Sequence, residues 1–168
     1  MILVALGSNL PTPGLTDPRE SCEAALDRLS ASGVAVSARS RWWRTAPVPI
    51  SDQPWFCNGV VRVETALPPD ALLALLHEIE DGFGRIRRVR NEARVIDLDL
   101  LAYDDKVLEG PAGPVLPHPR LQERAFVLLP LAEVAPGWRH PVLDRTVEQM
   151  LAALPPGQAA EPMAEDPR

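Results

Sequence analysis

The stretch Arg94-Val95-Ile96-Asp97-Leu98-Asp99-Leu100-Leu101 decides how the rest of the chain is read. It is an apolar run fit for a buried strand, interrupted by two carboxylates. Strand side chains alternate between faces, so Asp97 and Asp99 point one way and Leu98 the other, with the two aspartate Cα atoms roughly 6.5–7 Å apart. Ionised carboxylates are rarely buried without a partner. Two on one face repel each other unless a cation lies between them. A hard divalent ion such as Mg²⁺ suits oxygen ligands of this kind.

The opposite charge stands immediately upstream. Arg85-Ile86-Arg87-Arg88-Val89-Arg90-Asn91-Glu92-Ala93-Arg94 holds five arginines in ten residues, in a chain with sixteen arginines and one lysine. An acidic metal site beside dense guanidinium groups is what a polyphosphate substrate needs: the metal bridges phosphate oxygens, and the arginines grip and neutralise them. Each feature alone has an ordinary explanation, as solvated surface or as a chance D-x-D pair. Side by side, with the carboxylates inside an apolar strand, they favour a site.

The 168 residues fit one domain, expected over 1–154, with enough chain to bury a real core. Hydrophobic content of 46% and charged content of 24% are those of a globular protein. The net charge of −6 argues against a general nucleic-acid binder, since the positive charge is local. Cys22 and Cys57 fit no metal spacing and suggest no disulfide framework. The apolar start lacks a basic leader, and no run approaches the roughly 18–20 apolar residues of a membrane-crossing helix. A soluble, cytoplasmic protein is therefore expected.

Working outward from the aspartates, residues 2–6 (Ile-Leu-Val-Ala-Leu) read as a buried central strand that stops at Gly7-Ser8-Asn9. Asp17 can cap a helix with Pro18 at its first position and Glu20 three residues after the cap. Ala24, Ala25, Leu26 and Leu29 form its apolar face, and Gly33 ends it. Residues 34–45 turn to strand, followed by a proline-punctuated loop over 45–54. Residues 55–65 read as another strand, with Val61 and Val63 on one face and Val60 and Arg62 on the other. Pro68-Pro69-Asp70 opens a second helix with Leu72, Leu73, Leu75, Leu76 and Ile79 inward. After the aspartate strand, Asp104-Asp105 makes a turn and Lys106-Val107-Leu108 a short return strand. Residues 124–135 are expected to be helical despite Pro130, and Thr146 to Leu154 make a last amphipathic piece. The Pro/Ala/Glu-rich tail over 155–168 is expected to be disordered. The order is β-α-β-β-α-β plus C-terminal helices: an α+β, ferredoxin-like core with a mainly antiparallel sheet and helices on one side. That fold alone names no function.

Several segments together resemble one family, the hydroxymethyl-dihydropterin pyrophosphokinases of folate biosynthesis. They are Gly7-Ser8-Asn9-Leu10, Arg44-Thr45-Ala46-Pro47, Asp52-Gln53-Pro54, Phe56-x-Asn58, Glu80, Gly84-Arg85-Ile86-Arg87, Arg94-x-Ile96-Asp97-Leu98-Asp99-Leu100, Pro117-His118-Pro119-Arg120 and Arg124-Ala125-Phe126-Val127-Leu128. They follow one another in family order over roughly residues 2–135. The R-x-[IL]-D-L-D-L and P-H-P-R pair is specific, whereas Gly-Ser-Asn alone would be weak.

The resemblance implies transfer of the β,γ-diphosphate of ATP, as co-substrate, to the hydroxymethyl group of a reduced pterin, with release of AMP. It implies that Asp97 and Asp99 hold two Mg²⁺ ions between the pterin hydroxyl and the triphosphate. Arg85 and Arg94 would stabilise charge on the transferred group. Glu80, Arg87, His118, Arg120 and Arg124 would serve the ATP side. On the pterin side, Phe56 and Phe126 would sandwich the ring, Asn58 would meet its edge, and Thr45, Ala46, Pro47 and Val48 would add contacts from the loop. The partners implied are these two small molecules, with no nucleic acid, no membrane and a monomeric chain. Without the resemblance, Phe56 and Phe126 read as ordinary core residues and Glu80 as a solvated helix charge.

Two departures stand out. Asn91-Glu92-Ala93 occupies the place where the family often carries an aromatic followed by glycine and proline, in a loop that the resemblance implies is a lid gating turnover. Ala46 replaces the usual proline after Thr45. Two other readings differ in kind: a nucleotide-sugar transferase with Asp97-Leu98-Asp99 as its D-x-D metal site, and a ferredoxin-like RNA-binding module using the arginine segment. The short chain counts against the first. The lack of an exposed aromatic RNA-recognition signature and the negative net charge count against the second.

Overall fold

The computed structural model describes residues 1–10, 17–83, 95–111 and 113–164. In chain order its elements are β1 (Ile2–Ser8), α1 (Pro18–Ala31), β2 (Ala35–Arg39), β3 (Trp43–Thr45), β4 (Phe56–Glu64), α2 (Pro69–Gly82), β5 (Asp97–Tyr103), β6 (Leu108–Glu109), β7 (Val115–Leu116), a single 3₁₀ turn at Leu121–Glu123, α3 (Ala125–Val134), α4 (Val147–Ala152) and β8 (Ala160–Pro162). The protein is α+β, and its described residues form four α-helices and a main sheet in the order β5-β1-β4-β3-β8, on which β2 also pairs with β4. Every paired neighbour is antiparallel.

The apolar run of β1 is buried along its whole length because it lies between β4 and β5. Its even positions Ile2, Val4 and Leu6 join Val61, Val63, Leu98 and Leu100 beneath α1 and α2. Leu3 and Ala5 join Val60 on the other face, beneath α3 and α4. A register shift between Leu3 and Val4 lets both Leu101 and Ala102 face α3 and α4. Strand alternation thus fills two cores from one sheet. The expectation of helices on one side holds for α1 and α2 only, because the C-terminal helices cover the second face.

Local chemistry sets the helix ends. The Asp17 carboxylate accepts from the N–H groups of Arg19 and Glu20, and Pro18 opens α1. Thr146 and Gln149 form a reciprocal capping box on α4. Pro130 lies inside α3 and is itself buried. Cys22 and Cys57 are buried, unlinked thiols, and their mutual hydrogen bond together with burial pushes Cys22 well above the usual thiol range.

Three expectations are corrected. Residues 34–45 are two strands, broken where Ser40 accepts the N–H of Val60 on its hydroxyl and the two tryptophans part to opposite faces. Trp42 donates from its indole to Glu23 of α1 at 2.8 Å, and Trp43 donates to Glu133 of α3 at 2.7 Å. The return strand is Leu108–Glu109, and it pairs with Val115–Leu116 in a separate two-stranded sheet. Within the tail expected to be disordered, Ala160–Pro162 form an edge strand on β3, because that edge offers backbone groups the tail can satisfy.

Candidate active site

The aspartate strand does what alternation requires. Asp97 and Asp99 lie opposite Gly7 and Ala5 of β1, while Leu98 and Leu100 enter the core below. Both aspartates line a cavity of about 360 Å³, within the size range of small-molecule sites. Its floor continues across β1 through Ala5, Leu6 and Gly7 to Phe56 and Asn58 of β4. One wall is the loop after β3, with Ala46, Pro47, Val48 and Pro49, and the facing wall is Arg124 and Phe126 at the start of α3.

Gly7 keeps the floor open. A Cβ there would fall 2.5 Å from Asn58 Oδ1, inside van der Waals contact. The Asn58 amide is itself oriented, because Nδ2 donates to the hydroxyl of Thr45 with both residues buried. Thr45 therefore touches Asn58 and is not part of the cavity lining. Asn9 performs a similar service for the loop: its Nδ2 donates to Gln53 Oε1 at 3.1 Å and to the carbonyl of Pro54 at 3.2 Å.

His118 lies next to this cavity without lining it. Its backbone N–H donates to the carbonyl of Leu101 at 2.8 Å, which docks the Pro117–Arg120 turn against the outer edge of β5. Its Nδ1 accepts the N–H of Arg120 at 3.2 Å. Burial, then the charge of Arg124, lowers its pKa from 6.5 to about 4, with Asp97 opposing and Arg120 adding to the decrease. The ring is therefore neutral at pH 7. With Nδ1 accepting, the remaining proton sits on Nε2, where it can be donated. Arg120 is exposed, with its side chain 3.8 Å from Glu123. The Arg124 guanidinium lies over the Phe126 ring at 5.3 Å.

Glu80 is elsewhere. It is buried on α2, and its carboxylate accepts the N–H of Leu98 at 2.8 Å, so it meets β5 from the core side and is not part of the cavity lining. The solvated reading of Glu80 fails, since a buried carboxylate needs such a partner. Arg85, Arg87 and Arg94 lie outside the described residues, as does the lid expectation. The structure thus brings Asp97, Asp99, Ala46, Pro47, Val48, Phe56, Asn58, Arg124 and Phe126 to one cavity. Sequence reasoning missed Ala5, Leu6, Gly7, Pro49, Ser51 and Gln53 as lining residues. Gly7 and Gln53 belonged to quoted motifs, and that was the available signal. Ala5 and Leu6 looked like core alone.

Two carboxylates facing an apolar slot, with cationic and amide groups on the surrounding walls, can hold a polyphosphate at one end and a flat polar ring at the other. Residues 3–136 match the family 7,8-dihydro-6-hydroxymethylpterin-pyrophosphokinase (HPPK). The chain belongs to this family. It is 41% identical over 154 residues to a 2-amino-4-hydroxy-6-hydroxymethyldihydropteridine pyrophosphokinase of Methylorubrum extorquens, covering 91% of this chain and 92% of that one. A protein of the same name from Pseudomonas aeruginosa is 41% identical over 155 residues, covering 92% and 91%. The folic acid synthesis protein fol1 of Schizosaccharomyces pombe is 37% identical over 153 residues, which are 90% of this chain but 20% of that protein.

Proposed function

We propose that this chain transfers the diphosphate of ATP to the hydroxymethyl group of 6-hydroxymethyl-7,8-dihydropterin, giving the pterin diphosphate and AMP in folate biosynthesis. The single cavity that joins Asp97 and Asp99 to Asn58, Phe56 and Phe126 carries this reading. Family membership over residues 3–136 supports the same reaction, and neither a sugar-nucleotide transferase nor an RNA-binding module draws support from it.

Phe56 and Phe126 stack on the pterin, and Asn58, held by Thr45, meets its polar edge. Ala46, Pro47 and Val48 close the slot. Asp97 and Asp99 suit Mg²⁺, which takes one or two protein carboxylates and leaves its other positions to water and phosphate. Asp97 and Asp99 would hold two such ions, which when bound supply positive charge to the phosphate oxygens. Arg124 and the Nε2–H of neutral His118 donate to those oxygens. Arg85 and Arg94 balance charge on the transferred group, Arg87 and Arg120 grip the nucleotide, and Glu80 serves the ATP side by fixing the strand under the aspartates. With little covalent chemistry to perform, these residues act by position and charge.

The core is read as ferredoxin-like. The order β5-β1-β4-β2, with α1 joining β1 to β2 and α2 joining β4 to β5, supports that topology. No described helix is long and apolar enough to cross a membrane. A monomer acting on small molecules in the cytoplasm, without nucleic acid, completes the reading, and the net charge of −6 supports the last point. The test is AMP release from Mg-ATP with and without the pterin. Release should depend on the pterin, and a rate indifferent to it would overturn the assignment.

A further inference from the structure

Both walls of the cavity are tied to neighbouring residues of the C-terminal tail. The tail runs antiparallel to β3, pairing Thr45 with Ala160 and Trp43 with Pro162. The N–H of Ala46, a lining residue, donates to the carbonyl of Ala159 at 3.0 Å. One residue earlier, Gln158 reaches the facing wall. Its Oε1 accepts the N–H of Ala125 at 2.9 Å, and its Nε2 donates to the carbonyl of Glu123 at 2.9 Å. Ala125 stands between Arg124 and Phe126, which form that wall.

The bond to Ala125 fills a specific vacancy. The first N–H groups of a helix have no partner within it, and the preceding residue is usually Ser, Thr, Asp or Asn, whose side chain accepts from them. Here that residue is Arg124, whose side chain makes no capping bond and instead lies over Phe126 beside the cavity. A guanidinium has no acceptor and cannot cap. Gln158 supplies the missing acceptor from 33 residues away in the chain. It lies outside the residues 3–136 that match the family.

We infer that Gln158 is a positioning residue: it caps α3 in place of Arg124, and through Ala159 it fixes the distance between the 46–49 loop and the Arg124–Phe126 wall. The tail is then a brace that sets the width of the ring slot. This rests on the pterin reading of the cavity.

Gln158→Ala should raise the KM for the pterin about fivefold, on the scale of a lost cap, and the KM for ATP by less through Arg124, while kcat stays within about twofold. Gln158→Glu keeps the acceptor for Ala125 at a helix N-terminus that favours negative charge but sets an oxygen against the Glu123 carbonyl, so the pterin KM should fall between those of the Ala variant and the unmutated enzyme. A Gln158→Ala enzyme with an unchanged pterin KM, or one whose kcat alone falls, overturns the inference. Hydrogen exchange provides a measurement that needs no turnover. In Gln158→Ala the amides of Ala125 and Ala46 should exchange faster, and unchanged exchange at both refutes the brace. An unmutated enzyme inactive towards the pterin would count against the functional reading alone, leaving the exchange result to decide on Gln158.

Discussion

Asp97 and Asp99 on one side of β5 and Glu80 on the other are carboxylates set around the same three residues, yet their surroundings are opposite. The aspartates are half-buried at a cavity, where a cation and substrate can reach them. Glu80 is 1% exposed and accepts a backbone N–H from the strand that carries them. An acidic side chain at the rim of a pocket is available for chemistry, whereas the same group sealed under the sheet holds the backbone in register. The motif D-L-D is thus fixed from both sides: Leu98 is anchored in the core by its side chain and by Glu80 at its N–H.

The sharpest way to break this comparison is to neutralise the rim. Asp97→Ala and Asp99→Ala should each lower kcat by about a thousandfold or more, the scale of losing a charge-stabilising group, with melting temperatures near that of the unmutated protein. Full activity in both would end the assigned role. Next comes the buried partner. Glu80→Ala strands the Leu98 N–H and should cost about 1–3 kcal/mol of stability in denaturant unfolding. An unchanged midpoint would show that Glu80 does not brace the strand. A third test concerns the pH dependence that His118 sets. Its folded pKa of about 4 lies below the usual 6.5, so between those values the unfolded chain binds the extra proton. His118 therefore stabilises the fold fully above pH 6.5 and loses that contribution as pH falls towards 4. His118→Gln should flatten the stability profile in that window, and an unaltered profile would show that the ring titrates normally.

The parts legible in the sequence were those governed by local periodicity. Alternation placed Asp97 and Asp99 together, Val60 away from Val61, and the apolar run of residues 2–6 at the sheet centre. The Asp17 cap was legible because capping is decided within four residues. What could not be read were arrangements whose partners come from distant elements. The break between β2 and β3 depends on Glu23 and Glu133, one from each helical layer, and neither signals a tryptophan partner locally. The buried setting of Glu80 depends on the edge of a strand 18 residues away. The tail carries no apolar alternation, and its order comes from backbone pairing and from Gln158. The aromatic pair at the cavity was visible only through family resemblance, since a phenylalanine facing a slot and one facing a core look alike in one dimension.

The placement of Pro162 has a consequence for how copies of the protein meet. Ala159 accepts from Ala46 and Met163 donates to Trp42, the residues on either side of β3, so the backbone groups of Ala160 and Pro162 face away from the sheet. Proline has no N–H to offer, and Glu161 adds charge at the same rim. At the opposite border, the Glu80 carboxylate and the N–H of His118 already occupy Leu98 and Leu101 of β5. Strand addition is disfavoured at these two places, whereas β2, which pairs with β4 alone among the described strands, keeps an edge of the sheet open.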